Sequence, residues 1–316
     1  AGADDNHSGN EGQALHLRSP CGGPWGFVFV RPALGDARSE RQVFYDARTQ
    51  CQECGDVPKR KKGKDFGAIR RSAVRLSALA GALGVPLSGA DREITGITLD
   101  SRQVQPGQLF VAIPGANADG TRFIPDALQR GAVAICAVRP WDNVPTLVVP
   151  DPREALAKLA SEFHGHPARD LRMIGITGSL GKTSTALLLE TIIGTAGEKV
   201  GVIGSLGIRF EGHVVETGMT TPEAPSIHGS LRYFATQGAG TAVMEVTSHS
   251  ILLKRVEGLQ YDLGLLTNIV PYEHLEFHPT PEHYVRTKTR FFGMLKPGAP
   301  LVVNDDDPTG REVSTG

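Results

Sequence analysis

The sequence predicts an α/β protein in which a small N-terminal α/β unit precedes a doubly wound, mainly parallel sheet. Two observations carry this. Short apolar, β-branched runs alternate with stretches of helical periodicity from about residue 72 onward. One such run, Arg172-Met173-Ile174-Gly175-Ile176, leads straight into Thr177-Gly178-Ser179-Leu180-Gly181-Lys182-Thr183, and a helical pattern opens at Ser184.

In chain order, the first unit reads as a helix over 74–83, strands over 94–99 and 109–113, a helix over 122–130, strands over 132–138 and 146–149, and a helix over 152–164. Gly165-His166-Pro167 breaks that last helix and serves as a linker. The second unit reads as strand 172–177, helix 183–196, strand 199–203, helix 224–236, strands 241–246 and 263–267, helix 281–295 and strand 301–304. Gly197 and Gly238 fall just past two of these helices, where a left-handed cap is favoured. A hairpin over 208–215, turning on Glu211-Gly212, interrupts the alternation.

A chain of 316 residues is long enough for about two domains. Its formal charge of -1 supplies no global field for nucleic acid or an anionic membrane. No run approaches the roughly twenty apolar residues of a membrane span. No membrane insertion and no nucleic-acid partner are expected, and a cytoplasmic monomer is the default. The four cysteines, Cys21, Cys51, Cys54 and Cys136, are too few and too unevenly placed for a disulfide framework.

Residues 1–68 stand apart as a polar, aperiodic leader that is expected to be disordered or extraneous. Cys51 and Cys54 have the spacing of a zinc knuckle, but no second pair follows. The run Lys59-Arg60-Lys61-Lys62-Gly63-Lys64 reads as a solvated linker or a basic patch.

The loop over 177–183 reads as a phosphate cradle. Gly178 and Gly181 let the backbone bend so that N–H groups converge at the positive end of a helix. Lys182 adds a mobile positive charge, and the Thr183 hydroxyl suits Mg²⁺. Ile176 stands where the strict pattern has a glycine. Ligands of such sheets collect at the carboxyl ends of strands. There the sequence places Glu245, a carboxylate in an apolar run, followed by Thr247-Ser248-His249. Thr267-Asn268 leads into Glu273-His274-Leu275-Glu276-Phe277-His278, Thr220-Thr221-Pro222 precedes a helix start, and Lys288 follows on a helix.

Together these blocks resemble the Mur ligase family, the ATP-dependent amide-bond ligases of peptidoglycan precursor synthesis. Gly175 to Thr183 is similar to that family's phosphate loop, and Met244-Glu245-Val246-Thr247-Ser248-His249 resembles a segment of the branch that adds the third stem residue. Ile97-Thr98-Leu99-Asp100-Ser101-Arg102 and Gly107 to Gly115 resemble its UDP-sugar-binding domain. The resemblance implies domains over 69–166, binding UDP-sugar, and 167–316, binding ATP. The central domain is expected to be incomplete and the amino-acid-selecting C-terminal domain absent.

Carried over by position, Thr177, Gly178, Ser179, Leu180, Gly181, Lys182, Thr183 and Ser184 hold ATP. Thr183, Glu245 and His274 serve Mg²⁺, and Lys288 is the lysine converted to N6-carboxylysine. Lys182, Glu245, His274 and Lys288 form the catalytic set, while Leu99, Ser101, Thr220, Thr221, Thr247 and Arg255 bind the UDP-MurNAc-dipeptide. The implied reaction joins diaminopimelate, lysine or another amino acid through an acyl phosphate. The alternatives are a non-catalytic nucleotide- or UDP-sugar-binding module and a folylpolyglutamate-synthetase-like ligase.

Overall fold

A central parallel sheet and a smaller parallel sheet before it set the positions of everything else. The structure, a computed structural model, describes residues 73–115, 119–270 and 277–315. The leader, the Cys51/Cys54 pair, the basic run and His274 lie outside the described residues.

The chain enters through β1 (Val74–Arg75), α1 (Leu76–Leu83) and β2 (Glu93–Ile94). β1 pairs antiparallel with β2, so the first two residues of the expected helix are extended instead and α1 starts at Leu76. The expected strand over 94–99 is likewise divided, because β2 pairs with β1 while β3 (Ile97–Thr98) joins the next sheet. β3, β4 (Leu109–Val111), β5 (Ala134–Ala137) and β6 (Thr146–Val148) then form a wholly parallel sheet in sequential order.

Both faces of that sheet are covered, which its near-continuous apolar strands require. Leu109, Val111, Ala134 and Leu147 pack against Leu76 and Leu79 of α1 and against Leu156 and Leu159 of α3 (Pro152–Phe163). Phe110 and Ile135 face the other way, onto Ile124 and Ala127 of α2 (Ile124–Gln129). The expected helix over 122–130 therefore begins as a 3-10 turn, Gly120–Phe123, before α2 proper. Cys136 is buried in β5, and burial pushes its thiol up to about 12, which makes it a packing residue.

The second sheet begins with β7 (Arg172–Thr177), α4 (Lys182–Thr195) and β8 (Val200–Gly204). The hairpin β9 (Gly207–Phe210) and β10 (His213–Val215) follows. Glu211 (φ 48°) and Gly212 (φ 76°) both take the left-handed conformation that a two-residue primed turn demands. Then come α5 (Ala224–Thr236), β11 (Thr241–Glu245), the short α6 (Ser248–Leu252), β12 (Leu263–Leu266), α7 (Pro281–Thr289), β13 (Leu301–Val303) and α8 (Pro308–Thr315). Their order is β10-β9-β8-β11-β7-β12-β13, parallel from β8 to β13 with the hairpin as an antiparallel edge. β7 comes first in sequence yet lies between β11 and β12, so the chain departs from it in both directions. Its carboxyl end is the place where such sheets open a crevice.

One face of this sheet packs Ile174, Ile176, Val202 and Val243 against α4. The other packs Met173, Ile203 and Met244 against α5 and the 3-10 turn Arg290–Met294, whose Phe291 is fully buried. That turn ends the expected helix over 281–295 six residues early, because tighter winding carries Phe291 under β7. The described residues all fall in one compact unit. Its two larger sheets are joined where Ala157 and Ala160 of α3 meet Ala224 of α5. Arg232 of α5 donates to the carbonyls of His164 and Gly165. Among the described residues no helix is long and apolar enough to cross a membrane.

Gly175 sits mid-β7, where an added β-carbon would lie 2.6 Å from the Phe291 ring and 2.8 Å from Tyr261. Gly175→Ala should overpack this contact and cost about 1–3 kcal/mol. The urea midpoint would fall with an unchanged m-value, whereas an unchanged midpoint would show that the rings move aside freely.

Candidate functional site

The turn from β7 into α4 is held in a shape only glycine allows. Gly178 has φ 143°, and a β-carbon there would collide with the Thr267 hydroxyl. Gly181 (φ 84°) occupies the N-cap of α4 and offers no side-chain cap, so the first N–H groups of the helix can receive an anion. The segment after β12 supports the loop from beside it. The Asn268 carbonyl accepts from Ser179 N at 2.9 Å, and its side-chain oxygen accepts from Leu180 N at 3.0 Å. The Thr267 hydroxyl donates to the Leu180 carbonyl at 2.6 Å. The Ser179 hydroxyl lies 2.8 Å from the Tyr284 hydroxyl and accepts from Val270 N at 2.8 Å.

Two lysines converge on the same loop. Lys182 Nζ donates to the carbonyls of Gly178 (2.8 Å) and Ser179 (2.7 Å), folding back across the turn. Lys288, on α7, is buried, lies 4.8 Å from the Tyr284 ring centroid and donates to the Gly178 carbonyl at 2.8 Å.

Glu245, at the end of β11, is 1% exposed. Thr183 donates to its Oε2 at 3.0 Å, Ser205 N to Oε1 at 3.0 Å, and the Ser205 hydroxyl to Oε2 at 3.2 Å. Among the described residues no cationic side chain bonds this carboxylate. A buried anion served only by neutral donors is suited to a cation. Oxygen donors are what Mg²⁺ takes, usually one or two carboxylates completed by phosphates and water. Among the described residues there is no group of three or more His, Cys, Asp or Glu placed to hold a metal ion.

Opposite lie the threonines. Thr221 donates to the Glu245 carbonyl at 2.8 Å and lies 3.2 Å from the Thr247 hydroxyl, which also accepts from Ser250 N as the cap of α6. Thr220 lies 2.9 Å from the Ser205 hydroxyl. Arg255 donates to the Thr221 carbonyl (3.1 Å) and to Glu223 (2.9 Å), which also accepts from Arg153 of α3 at 3.0 Å. A cavity of about 400 Å³ joins the loop, Glu245, Thr220, Thr221, Thr247, Arg255 and Lys288. Leu99 and Ser101 do not line it. They belong to the smaller sheet's edge, where Ser101 is buried and its hydrogen bond holds the Asp126 carboxyl below its ordinary value.

Sequence reasoning passed over Ser205, Met219 and the Tyr284 contact, all of which border this cavity or its loop. Ser205 follows directly on β8, so the strand-end rule applied to that strand would have found it. Arg153 and Glu223 were silent because their pairing spans 70 residues.

A doubly wound parallel sheet with a glycine-shaped loop at its central strand, facing a buried carboxylate, defines a P-loop α/β protein. Two consecutive family profiles narrow this, one described as Mur ligase family, catalytic domain, over residues 93–164 and one as Mur ligase middle domain over 176–315. The chain belongs to the Mur ligase family.

It is 43% identical over 251 residues to the UDP-N-acetylmuramoyl-L-alanyl-D-glutamate--2,6-diaminopimelate ligase of Chlorobaculum tepidum, covering 76% of this chain and 49% of that protein. It is 41% identical over 237 residues to the UDP-N-acetylmuramyl-tripeptide synthetase of a Roseiflexus species, covering 69% and 46%. A solved structure of a UDP-N-acetylmuramoyl-L-alanyl-D-glutamate--2,6-diaminopimelate ligase superposes with TM-score 0.64 at 25% identity, over 78% of this chain and 50% of that one. MurF from Acinetobacter baumannii shares the fold, with TM-score 0.58 at 21% identity over 78% and 52%. The chain spans about half the length of the curated relatives it matches.

Gly178→Ala should force the loop off Thr267 and out of its left-handed geometry, at about 1–3 kcal/mol. Hydrogen exchange at Ser179 and Leu180, both now bonded to Asn268, would quicken. Unaltered exchange there would show that the glycine does not hold the loop.

Proposed function

We propose that this protein acts in ATP-dependent amide-bond formation, adding the third amino acid to UDP-N-acetylmuramoyl-L-alanyl-D-glutamate. The observation that carries this reading is the placement of Glu245 and Thr183, 3.0 Å apart, between the glycine-shaped loop and the threonine-lined wall. A phosphate donor and a carboxylate acceptor fit on opposite sides of one cation site there.

In this reading the N–H groups at the start of α4 and Lys182 hold the ATP phosphates, and Lys182 leaves its loop carbonyls to do so. Thr183 and Glu245 hold magnesium, which when bound neutralises charge on the phosphoryl oxygens. Thr220, Thr221, Thr247 and Arg255 orient the muramoyl dipeptide, with one edge of the guanidinium fixed by Glu223 and the Thr221 carbonyl. The smaller sheet, through Leu99 and Ser101, holds the UDP end. The terminal carboxylate of the dipeptide attacks the γ-phosphorus, giving an acyl phosphate and ADP. The incoming amine then displaces inorganic phosphate and gives up a proton. The residues of this chain bind and orient, and none acts as a nucleophile.

Lys288 is assigned here as the carbamylated residue. Its buried ammonium, 2.8 Å from the Gly178 carbonyl, loses a proton to solvent. The free amine then forms an N–C bond to CO₂ with loss of a second proton, giving an anionic carbamate that turns toward the cavity.

Titration calorimetry tests the nucleotide reading. Wild-type chain should bind ATP more tightly with Mg²⁺ than with chelator, and Lys182→Ala should weaken ATP at least about tenfold, or about 1.4 kcal/mol. Binding of neither ATP nor the UDP-muramoyl dipeptide would overturn it. Protein equilibrated with ¹³C-bicarbonate should give a carbamate resonance that Lys288→Ala lacks. A resonance persisting in that variant would remove the assignment.

A further inference from the structure

The C-terminal end of β8 is shaped around the Glu245 carboxylate as closely as the phosphate loop is shaped around its own turn. A β-carbon on Gly204 would collide with Glu245 Oε1 and force the carboxylate out of this position. The next residue, Ser205, meets both carboxylate oxygens, with its N–H 3.0 Å from Oε1 and its hydroxyl 3.2 Å from Oε2. The same hydroxyl lies 2.9 Å from Thr220 on the opposite wall.

The two oxygens are therefore held differently. Oε1 is bound by a main-chain N–H that cannot turn away. Oε2 is bound by the hydroxyls of Thr183 and Ser205, which can rotate to admit another partner. We infer that Ser205 is a positioning residue that orients Oε2 of Glu245 toward the cation and links the nucleotide side of the cavity to Thr220 on the acyl side. This rests on the nucleotide and magnesium reading given above.

Ser205→Ala keeps the N–H and removes only the hydroxyl, and Ser205→Thr restores it. ATP affinity of the 316-residue chain, measured with Mg²⁺ and with chelator, separates the cases. In Ser205→Ala the affinity with Mg²⁺ should fall about tenfold, the size typical of losing a group that orients a metal ligand. Affinity in chelator and the urea midpoint should stay at wild-type values, and Ser205→Thr should recover the magnesium-dependent gain. Ser205→Ala with a wild-type magnesium gain would overturn the inference alone, as would an equal loss with and without Mg²⁺, which marks a merely structural role. Wild-type chain showing no magnesium gain would overturn the underlying reading, and the inference with it.

Discussion

The site depends on one register constraint. In the parallel ladder Glu245 of β11 pairs with Ile176 of β7, and Met244 pairs with Ile203 of β8. Three strands therefore end at one level, with the loop glycine, the carboxylate and Gly204-Ser205 side by side. Side chains alternate along a strand, so a slip of one residue would turn Glu245 to the opposite face. The buried apolar residues on both faces of the sheet forbid that slip. The core thus fixes the polar geometry, and the buried carboxylate meets three neutral donors there, the N–H and hydroxyl of Ser205 and the hydroxyl of Thr183.

A second constraint joins the two sheets. Glu223, just before α5, accepts from Arg153 of α3 and from Arg255 beyond α6, while Lys254 reaches Asp151 and Glu154 at the start of α3. These pairs are part-buried yet still touch solvent, so screening limits what each adds to stability. Their effect here is geometric, since Arg255 borders the cavity while its guanidinium is held through Glu223 to the smaller sheet. The small alanines of the α3–α5 contact let the helices approach closely enough for these pairs to form. A ligand spanning both sheets would meet a wall already set in place.

How much of this was legible follows from the range of each interaction. The phosphate loop and Glu245 stood out locally, one as glycines between a strand and a helix, the other as a charge inside an apolar run. The hairpin on Glu211-Gly212 was equally local. Boundaries failed where a distant partner decided them. Val74 and Arg75 are extended because they pair with β2, and α7 gives way to a 3-10 turn because Phe291 must fit beneath Gly175. Short α6 went unread because five residues carry too little periodicity, and its cap, Thr247, does double duty at the cavity. Ser205 was open to the strand-end rule, but its bonds to Glu245 emerge only when β8 and β11 lie side by side. Pairings such as Arg153 with Glu223 leave no trace in local composition.

The loop itself divides into a fixed part and an exchangeable part. Its backbone is held by Thr267 and Asn268, and its Ser179 hydroxyl by Tyr284, through bonds that a ligand has no need to break. Lys182 and Lys288 both donate to the carbonyl of Gly178, and Lys182 also donates to that of Ser179. Swinging a lysine costs side-chain rotation, whereas reshaping the turn would cost strained backbone at Gly178 and Gly181. A site built this way keeps its amides and hydroxyls aimed before anything binds. That is the condition under which electrostatic stabilisation requires little reorganisation during phosphoryl transfer.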